Sequence, residues 1–232
     1  MSKIQEQRAK QHTEVALAQA SDGIIRHFWM SIVATIALAV LVSGVYPLIV
    51  WGLAQMIFPN QANGSLLKDK DGKIVGSALI GQRFTDPRFF HPRPSAAGSG
   101  YDPMASGGTN LGPTSDKLIN GIHKKMPDGK DDPSSFDGVK DLVAAYRREN
   151  GLDAVTRIPA DAVTRSASGL DPHISVANAL LQVPRIARAR NMSQEQLRTL
   201  IDRYTQGPDL GILGEAGVNV LDINLALEDM KQ

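Results

Sequence analysis

The sequence predicts an α+β protein in which one N-terminal transmembrane helix is followed by a single mixed α+β domain. Two observations support this class. No Asp, Glu, Lys or Arg occurs from Phe28 to Leu67. Beyond that stretch, short helical and strand patterns follow one another without regular alternation. We therefore expect a polar segment over residues 1–27, a transmembrane helix over residues 28–58 and a soluble domain over residues 59–232.

The predicted span is long enough to cross a membrane and carries tryptophan near both ends. Trp29 and Trp51, the only tryptophans of the chain, would lie about 33 Å apart on a helix, which matches the separation of the two interfacial regions of a bilayer. Pro47 is tolerable in such a helix where a neighbouring helix covers the freed carbonyl group. The alternative is a cleaved signal peptide with its cleavage site at residues 52–54, but its apolar region would be too long.

Small side chains recur every fourth residue along one face of the span, at Ser31, Thr35, Ala39 and Ser43. In membranes such a face lets a second helix approach closely; a chance distribution of small residues is the alternative. We predict a packing face for a partner helix, because a lone anchor does not need one. Lysine and arginine flank the span on both sides, so charge does not set its orientation.

The first part of the soluble domain is predicted to be a hairpin followed by a long loop. Asp71-Gly72 separates apolar runs between Leu66 and Ile80, which is the pattern of a β-hairpin. The stretch over residues 82–113 is rich in Gly, Pro and Ser, and a loop of this length is usually functional or disordered. The aromatic residues spread through it favour burial over disorder: Phe84, Phe89, Phe90 and Tyr101.

Helices dominate the remainder of the predicted domain. Apolar residues at helical spacing predict a helix that ends at Gly151, and Ser193 with Gln196 forms a capping box at the start of another. Pro184 should kink or break the helix predicted over Ile174–Arg190. The other expected elements are a helix capped by Thr114 that runs to Met126, a polar loop over Asp128–Ser135, a strand over Ile158–Thr164, and a strand that leads into a short helix over Val218–Leu227.

Composition and motifs exclude several classes of function. The formal net charge is +1, which argues against nucleic acid as a partner, because phosphate binding needs a surplus of Lys and Arg. The chain contains no cysteine, which excludes disulfides, thiolate chemistry and cysteine-based zinc sites. No nucleotide-binding, kinase or hydrolase motif occurs, and the five histidines never pair at metal-ligand spacing. We therefore predict no catalytic residue, no metal site and no tightly bound cofactor.

Two groups of polar residues remain. The first is a loop whose adjacent glycines could present backbone groups to an ion, a phosphate or a partner; the alternative is a tight structural turn. The second lies within one narrow arc of the helix predicted over Ile174–Arg190, where the alternative is a solvent-exposed face. The loop group consists of Arg93, Ser95, Ser106, Gly107, Gly108 and Asn110, and the helix group of Asn178, Gln182 and Arg185.

Specific motifs extend from the span to the C-terminus. They are GVYP at residues 44–47, GSALIGQ at 76–82, FHPRPS at 90–95, SGGTNLGP at 106–113, SGLDPHIS at 168–175, VNVL at 218–221 and NLAL at 224–227. In these motifs the chain closely resembles the C subunit of the Kdp potassium-transporting ATPase of bacteria and archaea. The N-terminal extension, the polar loop over residues 128–135 and Pro184 depart from the pattern of that family.

The resemblance implies a subunit of a membrane complex that imports potassium at the expense of ATP. The implied partners are a channel-like subunit that selects potassium, a P-type ATPase subunit that hydrolyses ATP, a small single-span subunit and the lipid bilayer. The C subunit is implied to be a non-catalytic accessory chain, needed for assembly and stability of the complex in the bacterial plasma (inner) membrane. Its N-terminus is implied to be cytoplasmic and its C-terminal domain extracytoplasmic.

The resemblance also implies a role as a catalytic chaperone that raises the ATP affinity of the catalytic subunit, with a glutamine such as Gln182 involved. ATP is therefore the one candidate ligand, and Asn178, Gln182 and Arg185 are the residues that would contact it. Since an extracytoplasmic domain cannot touch cytoplasmic ATP, such an effect would have to be transmitted through packed helices. The alternative from another class is a membrane-anchored exported enzyme or nucleotide-binding module that uses the Ser106–Pro113 loop.

Overall fold

The computed structural model describes residues 3–126, 128–130, 132 and 134–230 and confirms the α+β class. The chain divides into two compact units between Asn63 and Gly64. The first unit contains α1 (Lys3–Val40), α2 (Tyr46–Ile57) and α3 (Pro59–Ala62). The second contains β1 (Leu66–Lys68), β2 (Ile74–Ser77), α4 (Asp116–Asn120), α5 (Val139–Asn150), β3 (His173–Ser175), α6 (Val176–Arg190), α7 (Gln194–Tyr204), β4 (Thr205–Gln206), β5 (Gly217–Asn219) and α8 (Val220–Asp229).

The first unit is one long helix with a widened turn in its middle. Helices α1 and α2 are joined by a π-helical turn, Leu41–Val45, in which the N–H of Tyr46 donates to the carbonyl O of Leu41. This turn ends shortly before Pro47, whose ring and missing N–H disfavour a regular α-helical turn. The part over Gly23–Ile57 is long and apolar enough to cross a membrane.

The core of the second unit lies between helices α6, α7 and α8 and a small antiparallel sheet. The strand order is β3-β5-β4, and β5 pairs with both neighbours through Val218, which faces Ile174 on one side and Thr205 on the other. Fully buried apolar side chains fill this core, and a smaller cluster packs beneath α5. The largest are Phe90, Ile174, Ile186, Leu197, Ile201, Ile223 and Leu227.

Several local predictions are confirmed. Strands β1 and β2 form the expected antiparallel hairpin, with Gly72 at φ +77° in its turn. Gly151 ends α5 in the left-handed conformation, as glycine at this position usually does. Ser193 and Gln196 form the predicted capping box of α7. Strand β5 leads directly into α8, as the sequence over Val218–Leu227 predicts.

The helix expected from Thr114 to Met126 is wrong in both its cap and its length. The cap is Ser115, whose hydroxyl accepts the N–H of Leu118. Helix α4 ends at Asn120 because the next residue, Gly121, has φ +81° and leaves the helical conformation. The chain then turns back, so that Ile122 pairs with Phe136 in an isolated antiparallel bridge.

The strand expected over Ile158–Thr164 is also wrong, because a single 3₁₀ turn, Ala160–Ala162, occupies its place. In this turn the carboxylate of Asp161 accepts the backbone N–H and the hydroxyl of Ser175, both at 2.8 Å. These bonds between Asp161 and Ser175 favour the turn over an extended conformation. Local β-propensity carries no information about such a contact.

Of the two predicted effects of Pro184, the break does not occur, since α6 is continuous over Val176–Arg190, and the kink stays a prediction. The residues on both sides of the proline, Val183 and Arg185, are buried. Their burial and hydrogen bonds offset the cost of the lost backbone bond, which is about 3 kcal/mol for proline in a helix interior. Helix α6 itself starts two residues later than predicted, because Ile174 belongs to β3.

The polar loop predicted over Asp128–Ser135 is exposed at Asp128, Gly129, Lys130 and Ser134. Positions 131 and 133 of this loop lie outside the described residues, as do residues 1–2 of the predicted N-terminal segment and residues 231–232 of the predicted soluble domain. The predicted limits of the three parts of the chain, at residues 27/28 and 58/59, stay predictions.

Candidate functional site

The three predicted helix residues lie inside the second unit. Asn178, Gln182 and Arg185 are 1%, 1% and 5% exposed, so the alternative of a solvent-exposed face is wrong. Gln182 and Arg185 are hydrogen-bonded to residues 86–91, here called the central segment, which belongs to no helix or strand. Because buried backbone groups need hydrogen-bond partners, an irregular segment of this kind must obtain them from side chains.

Two side-chain amides clamp the backbone of the central segment. Gln182 of α6 accepts the N–H of His91 at 2.7 Å and donates to the carbonyl O of the same residue at 3.0 Å. Asn224 of α8 does the same with Phe90, at 2.8 and 2.9 Å. Each amide replaces a neighbouring strand, because it pairs the donor and the acceptor of one residue as a sheet would. We call Gln182 and Asn224 the amide clamp.

Arg185 supplies donors to the same segment from one turn further along α6. Burial lowers the pKa of its guanidinium, although the carboxylate of Glu149, 3.7 Å away, opposes the shift. Hydrogen bonds to oxygen atoms replace the lost water. These acceptors are the carbonyl O of Pro87 at 2.6 Å, the carbonyl O of Phe89 at 3.0 Å, Asn150 Oδ1 at 3.0 Å and Gln182 Oε1 at 2.7 Å.

Asn178 extends the network to the start of α6. Its Nδ2 donates to Asp161 Oδ2 at 2.8 Å, and its Oδ1 accepts the hydroxyl of Tyr146 at 2.8 Å and Nε2 of Gln182 at 3.0 Å. Burial raises the pKa of the Tyr146 phenol, which keeps it a donor. The network therefore joins α5, α6 and the 3₁₀ turn around Asp161 into one rigid unit.

His91 and Glu149 are in contact at the edge of this network. One ring nitrogen of His91 contacts the carboxylate of Glu149, and the other lies 2.9 Å from the carbonyl O of Asp86. Burial raises the pKa of the Glu149 carboxyl, but the hydrogen bond and charge of His91 and the charge of Arg185 outweigh burial and hold it below its ordinary value. Glu149 is therefore the carboxylate that faces the buried guanidinium of Arg185, 3.7 Å away.

The predicted loop group is held by the 166–171 segment. Ser106 Oγ and the backbone N–H of Gly107 both donate to the carbonyl O of Ser168, each at 2.9 Å. A Cβ atom at Gly108 would lie 3.0 Å from the carbonyl O of Ala167. Neither Gly107 nor Gly108 has positive φ, whereas Asn110 does, at +53°. Gly108 is thus explained by close backbone approach rather than by a left-handed turn, whereas a Cβ atom at Gly107 would meet no other atom within 4 Å.

The other two loop residues reach the same segment from the opposite side. Ser95 Oγ donates to the carbonyl O of Gly169 at 2.6 Å, and Arg93 forms a 2.6 Å ion pair with Asp171. Burial raises the pKa of the Asp171 carboxyl, but hydrogen bonds from His173 and Arg93 outweigh it and lower the pKa to about 2. Both halves of the predicted loop group therefore meet at the 166–171 segment.

An open cavity of about 310 Å³ borders part of the loop group and several partners of the α6 residues. Arg93 and Ser95 line it on one side, and His91, Tyr146 and Glu149 on the other. The structure thus brings Arg93 and Ser95 close to side chains that contact the helix residues. Ser106, Gly107, Gly108 and Asn110 do not share this cavity.

The predicted packing face of the span is exposed in the first unit. Ser31, Thr35, Ala39 and Ser43 all have exposed side chains, and the hydroxyl of Ser31 is bonded to the carbonyl O of His27 in its own helix at 2.8 Å. No residue in the most apolar part of the helix over Gly23–Ile57 is buried within the chain. The face is therefore available for a partner, and its use in packing stays a prediction.

Sequence reasoning missed important members of these sites. Asn224 lies among buried Ile223, Ala226 and Leu227, and a polar residue within an apolar helix face is the signal that could have identified it. Asp161 and Asn150 carry no comparable signal, because their partners are distant in sequence. The structure also brings together three potential metal ligands, His123, Asp137 and Asp141, although no metal site was predicted.

Removing the amide of Gln182 should destabilise the second unit. Gln182→Leu keeps the approximate shape of the side chain but leaves the N–H and C=O of His91 and one donor of Arg185 without partners. We expect a loss of about 2–4 kcal/mol in the free energy of unfolding, measured by denaturant titration of the full chain in mild detergent with circular dichroism as the signal. Amide exchange at His91 should accelerate as well.

The matched control is Gln194→Leu at the exposed first turn of α7, which should change the free energy of unfolding by less than about 0.5 kcal/mol. Equal stability of Gln182→Leu and the parent chain would show that the clamp contributes nothing to the fold.

Comparison with known proteins agrees with the resemblance noted in the motifs. A family model described as KdpC, the c chain of the K+-transporting ATPase, matches residues 28–229. Among curated relatives, the potassium-transporting ATPase KdpC subunit of Mycobacterium tuberculosis (strain H37Rv) is 52% identical over 184 residues, which cover 79% of this chain and 88% of the relative. The proteins of the same name from Koribacter versatilis and Caulobacter vibrioides are each 48% identical, over 85% and 88% of this chain and 92% and 94% of their own lengths.

The match of the family model includes the apolar helix, the central segment with its amide clamp, and the 166–171 segment. It covers most of the chain, and the relatives are matched over nearly their whole lengths. The chain therefore belongs to the KdpC family, the c chains of the K+-transporting ATPases.

Proposed function

We propose that this chain is a non-catalytic accessory subunit that assembles and stabilises an ATP-driven, high-affinity potassium import complex. The observation that carries the proposal is the exposed apolar helix Gly23–Ile57 with its face of small side chains. In lipid, such a face is suited to close packing against another helix. The proposed partners are the channel-like potassium-binding subunit, the P-type catalytic subunit and a small single-span subunit.

The second unit supports an architectural role because its polar groups are used to hold its own backbone. The functional groups of Asn178, Gln182 and Arg185 bond to residues of the same chain. A nucleotide at this face would have to displace those bonds, and each buried group left without a partner costs about 1–3 kcal/mol. We therefore assign these residues to the rigidity of the domain, with direct ATP binding as the competing proposal.

If these residues serve the rigidity of the domain, the chain can raise the ATP affinity of the catalytic subunit only indirectly, without touching ATP itself. With the second unit outside the membrane, the effect would have to pass through the packed helices of the span.

The competing enzyme or nucleotide-binding module would use the Ser106–Pro113 loop. There the hydroxyl of Ser106 donates to the carbonyl O of Ser168 at 2.9 Å, so that as a nucleophile it would first have to release this bond.

We further propose that the chain spans the bacterial inner membrane once, with a cytoplasmic N-terminus and an extracytoplasmic second unit. The support is the family membership together with the apolar helix near the N-terminus, the one candidate span among the described residues. Flanking charges do not decide this orientation, so it requires a direct measurement.

Enlarging the small-residue face should weaken assembly. Ala39→Leu adds bulk where the proposed partner helix approaches, and we expect at least a severalfold loss of the other subunits when the chain is purified by an affinity tag in mild detergent. The matched control is Ala37→Leu, which makes the same change on the opposite side of the helix. Equal recovery of partners with both variants would show that this face does not pack.

A cysteine placed in the second unit should report its side of the membrane, since the chain has no other cysteine. Lys130→Cys lies at an exposed position, and we expect a membrane-impermeant thiol reagent to label it in intact cells whose outer membrane, if present, is permeabilised. Glu14→Cys, exposed in α1, should be labelled only after lysis. The reverse pattern would invert the proposed orientation.

Calorimetric titration of Mg·ATP into the purified full chain should give heats no different from those of buffer, because the candidate nucleotide face is buried and internally bonded. Omission of the chain from the complex should nevertheless reduce potassium-stimulated ATPase activity. Tight binding abolished by Gln182→Ala in a chain that remains folded would restore direct nucleotide contact at α6. Tight binding abolished by Ser106→Ala would instead favour the loop module.

A further inference from the structure

We propose that His123, Asp137 and Asp141 bind a divalent transition-metal ion of the zinc type on the surface of the second unit. One ring nitrogen of the histidine and one oxygen of each carboxylate all lie within 4.8 Å of one another. The side chains of His123 and Asp137 are exposed, and that of Asp141 is half-buried. A dissolved ion therefore has direct access to all three.

The fold brings these residues together from three different places. Ile122 and Phe136 exchange two backbone hydrogen bonds of 2.8 Å in an isolated bridge, which holds together the two chain segments that carry His123 and Asp137. Next to this bridge, alternation of side chains places His123 and Asp137 on the same face, opposite to the paired residues. Asp141 approaches that face from the first turn of α5.

The carboxylate of Asp141 is already oriented by its own hydrogen bonds. Its Oδ2 accepts the backbone N–H of Gly138 at 2.8 Å and lies 3.1 Å from Nε2 of His123. A backbone donor behind a carboxylate is the kind of outer contact that holds metal ligands in place. With metal bound, His123 would present the lone pair of Nε2 to the ion and carry its proton on Nδ1.

The separations suit one small ion. Zinc bonds to nitrogen and oxygen at about 2.0–2.2 Å, so two ligands of the same ion lie at most about 4.4 Å apart. The 3.1 Å contact between His123 and Asp141 is within this limit. For Asp137, rotation about the torsions of an exposed side chain is sufficient to close the remaining distance. Water would complete the coordination, as is usual where the protein offers three ligands.

The charges around the group leave the ligand atoms accessible. Two nearby cations contact the Phe136 ring, Arg165 at 4.3 Å and Lys117 at 5.1 Å, and the guanidinium of Arg165 also donates to the backbone O of Asp137 at 3.2 Å. Those contacts fix Arg165 beside the ligands.

An imidazole and two carboxylates are a ligand set that suits Zn²⁺ and similar transition-metal ions better than Mg²⁺ or Ca²⁺, which prefer oxygen alone. Bound metal would tie the bridge between Ile122 and Phe136 to α5.

The experiment is a calorimetric titration of ZnCl₂ into the full chain in mild detergent, with any affinity tag removed. We expect one Zn²⁺ per chain, and His123→Gln and Asp137→Asn should each weaken binding at least about tenfold. Asp141 is left unchanged because it also caps α5. His123→Gln and Asp137→Asn must each retain the metal-free unfolding temperature of the parent chain, and at equal Zn²⁺ concentration that temperature should rise less in these two variants than in the parent.

His173→Gln is the matched control, since it removes another histidine that contacts a carboxylate, at Asp171, and should bind Zn²⁺ like the parent. The proposal is overturned if the parent chain binds no Zn²⁺ at millimolar concentration. It is equally overturned if folded His123→Gln and Asp137→Asn bind Zn²⁺ as tightly as the parent does.

Discussion

The second unit depends on one constraint, which is that a buried stretch of irregular backbone must find hydrogen-bond partners. Phe90 is fully buried, yet it belongs to no strand, so that neighbouring strands cannot satisfy its peptide groups. The amide clamp supplies them, with Asn224 on Phe90 and Gln182 on His91. Helices α6 and α8 are therefore linked through the segment between them, and neither could shift without exposing unpaired peptide groups to an apolar core.

The same principle explains the loop that is rich in glycine and serine. Its two halves are fixed at the 166–171 segment by bonds from Ser95 and Ser106 to adjacent carbonyl groups. Gly169 is required at this crossing, because it has φ +68° and a Cβ atom there would lie 2.7 Å from the carbonyl O of Gly107. A long segment without secondary structure is thus ordered by side-chain bonds to backbone, which replace the ladder that a sheet would provide.

The two units serve the proposed role in different ways. The first presents an apolar helix whose small-residue face is open, and association in lipid depends on that kind of close packing. The second is rigid because buried charges such as Arg185 are matched by carbonyl groups and by the carboxylate of Glu149. A rigid body on a single helix is what a subunit needs if its contribution is to hold larger partners in place. Both features are physical properties of this chain rather than inferences from its family.

The sequence by itself determined the features whose causes are local. An uncharged stretch bracketed by Trp29 and Trp51 predicts the apolar helix, Asp71-Gly72 predicts the hairpin, and Ser193 with Gln196 predicts the start of α7. In each case the decisive energy comes from the residue itself or from neighbours a few positions away. The motifs also identified the family, and they include Phe90, His91 and Asn224 and most of the 166–171 segment.

Only the tertiary structure decided which polar residues are buried and what they bond. Asn178, Gln182 and Arg185 have the spacing of one helix face, and that spacing is the same whether the face meets water or a neighbouring segment. Their partners lie in other parts of the chain, as do those of Asp161. The continuity of α6 at Pro184 and the turn within Ile158–Thr164 have the same cause: burial and long-range bonds outweighed local propensity. The ligands at His123, Asp137 and Asp141 likewise become a group only when the bridge between Ile122 and Phe136 forms.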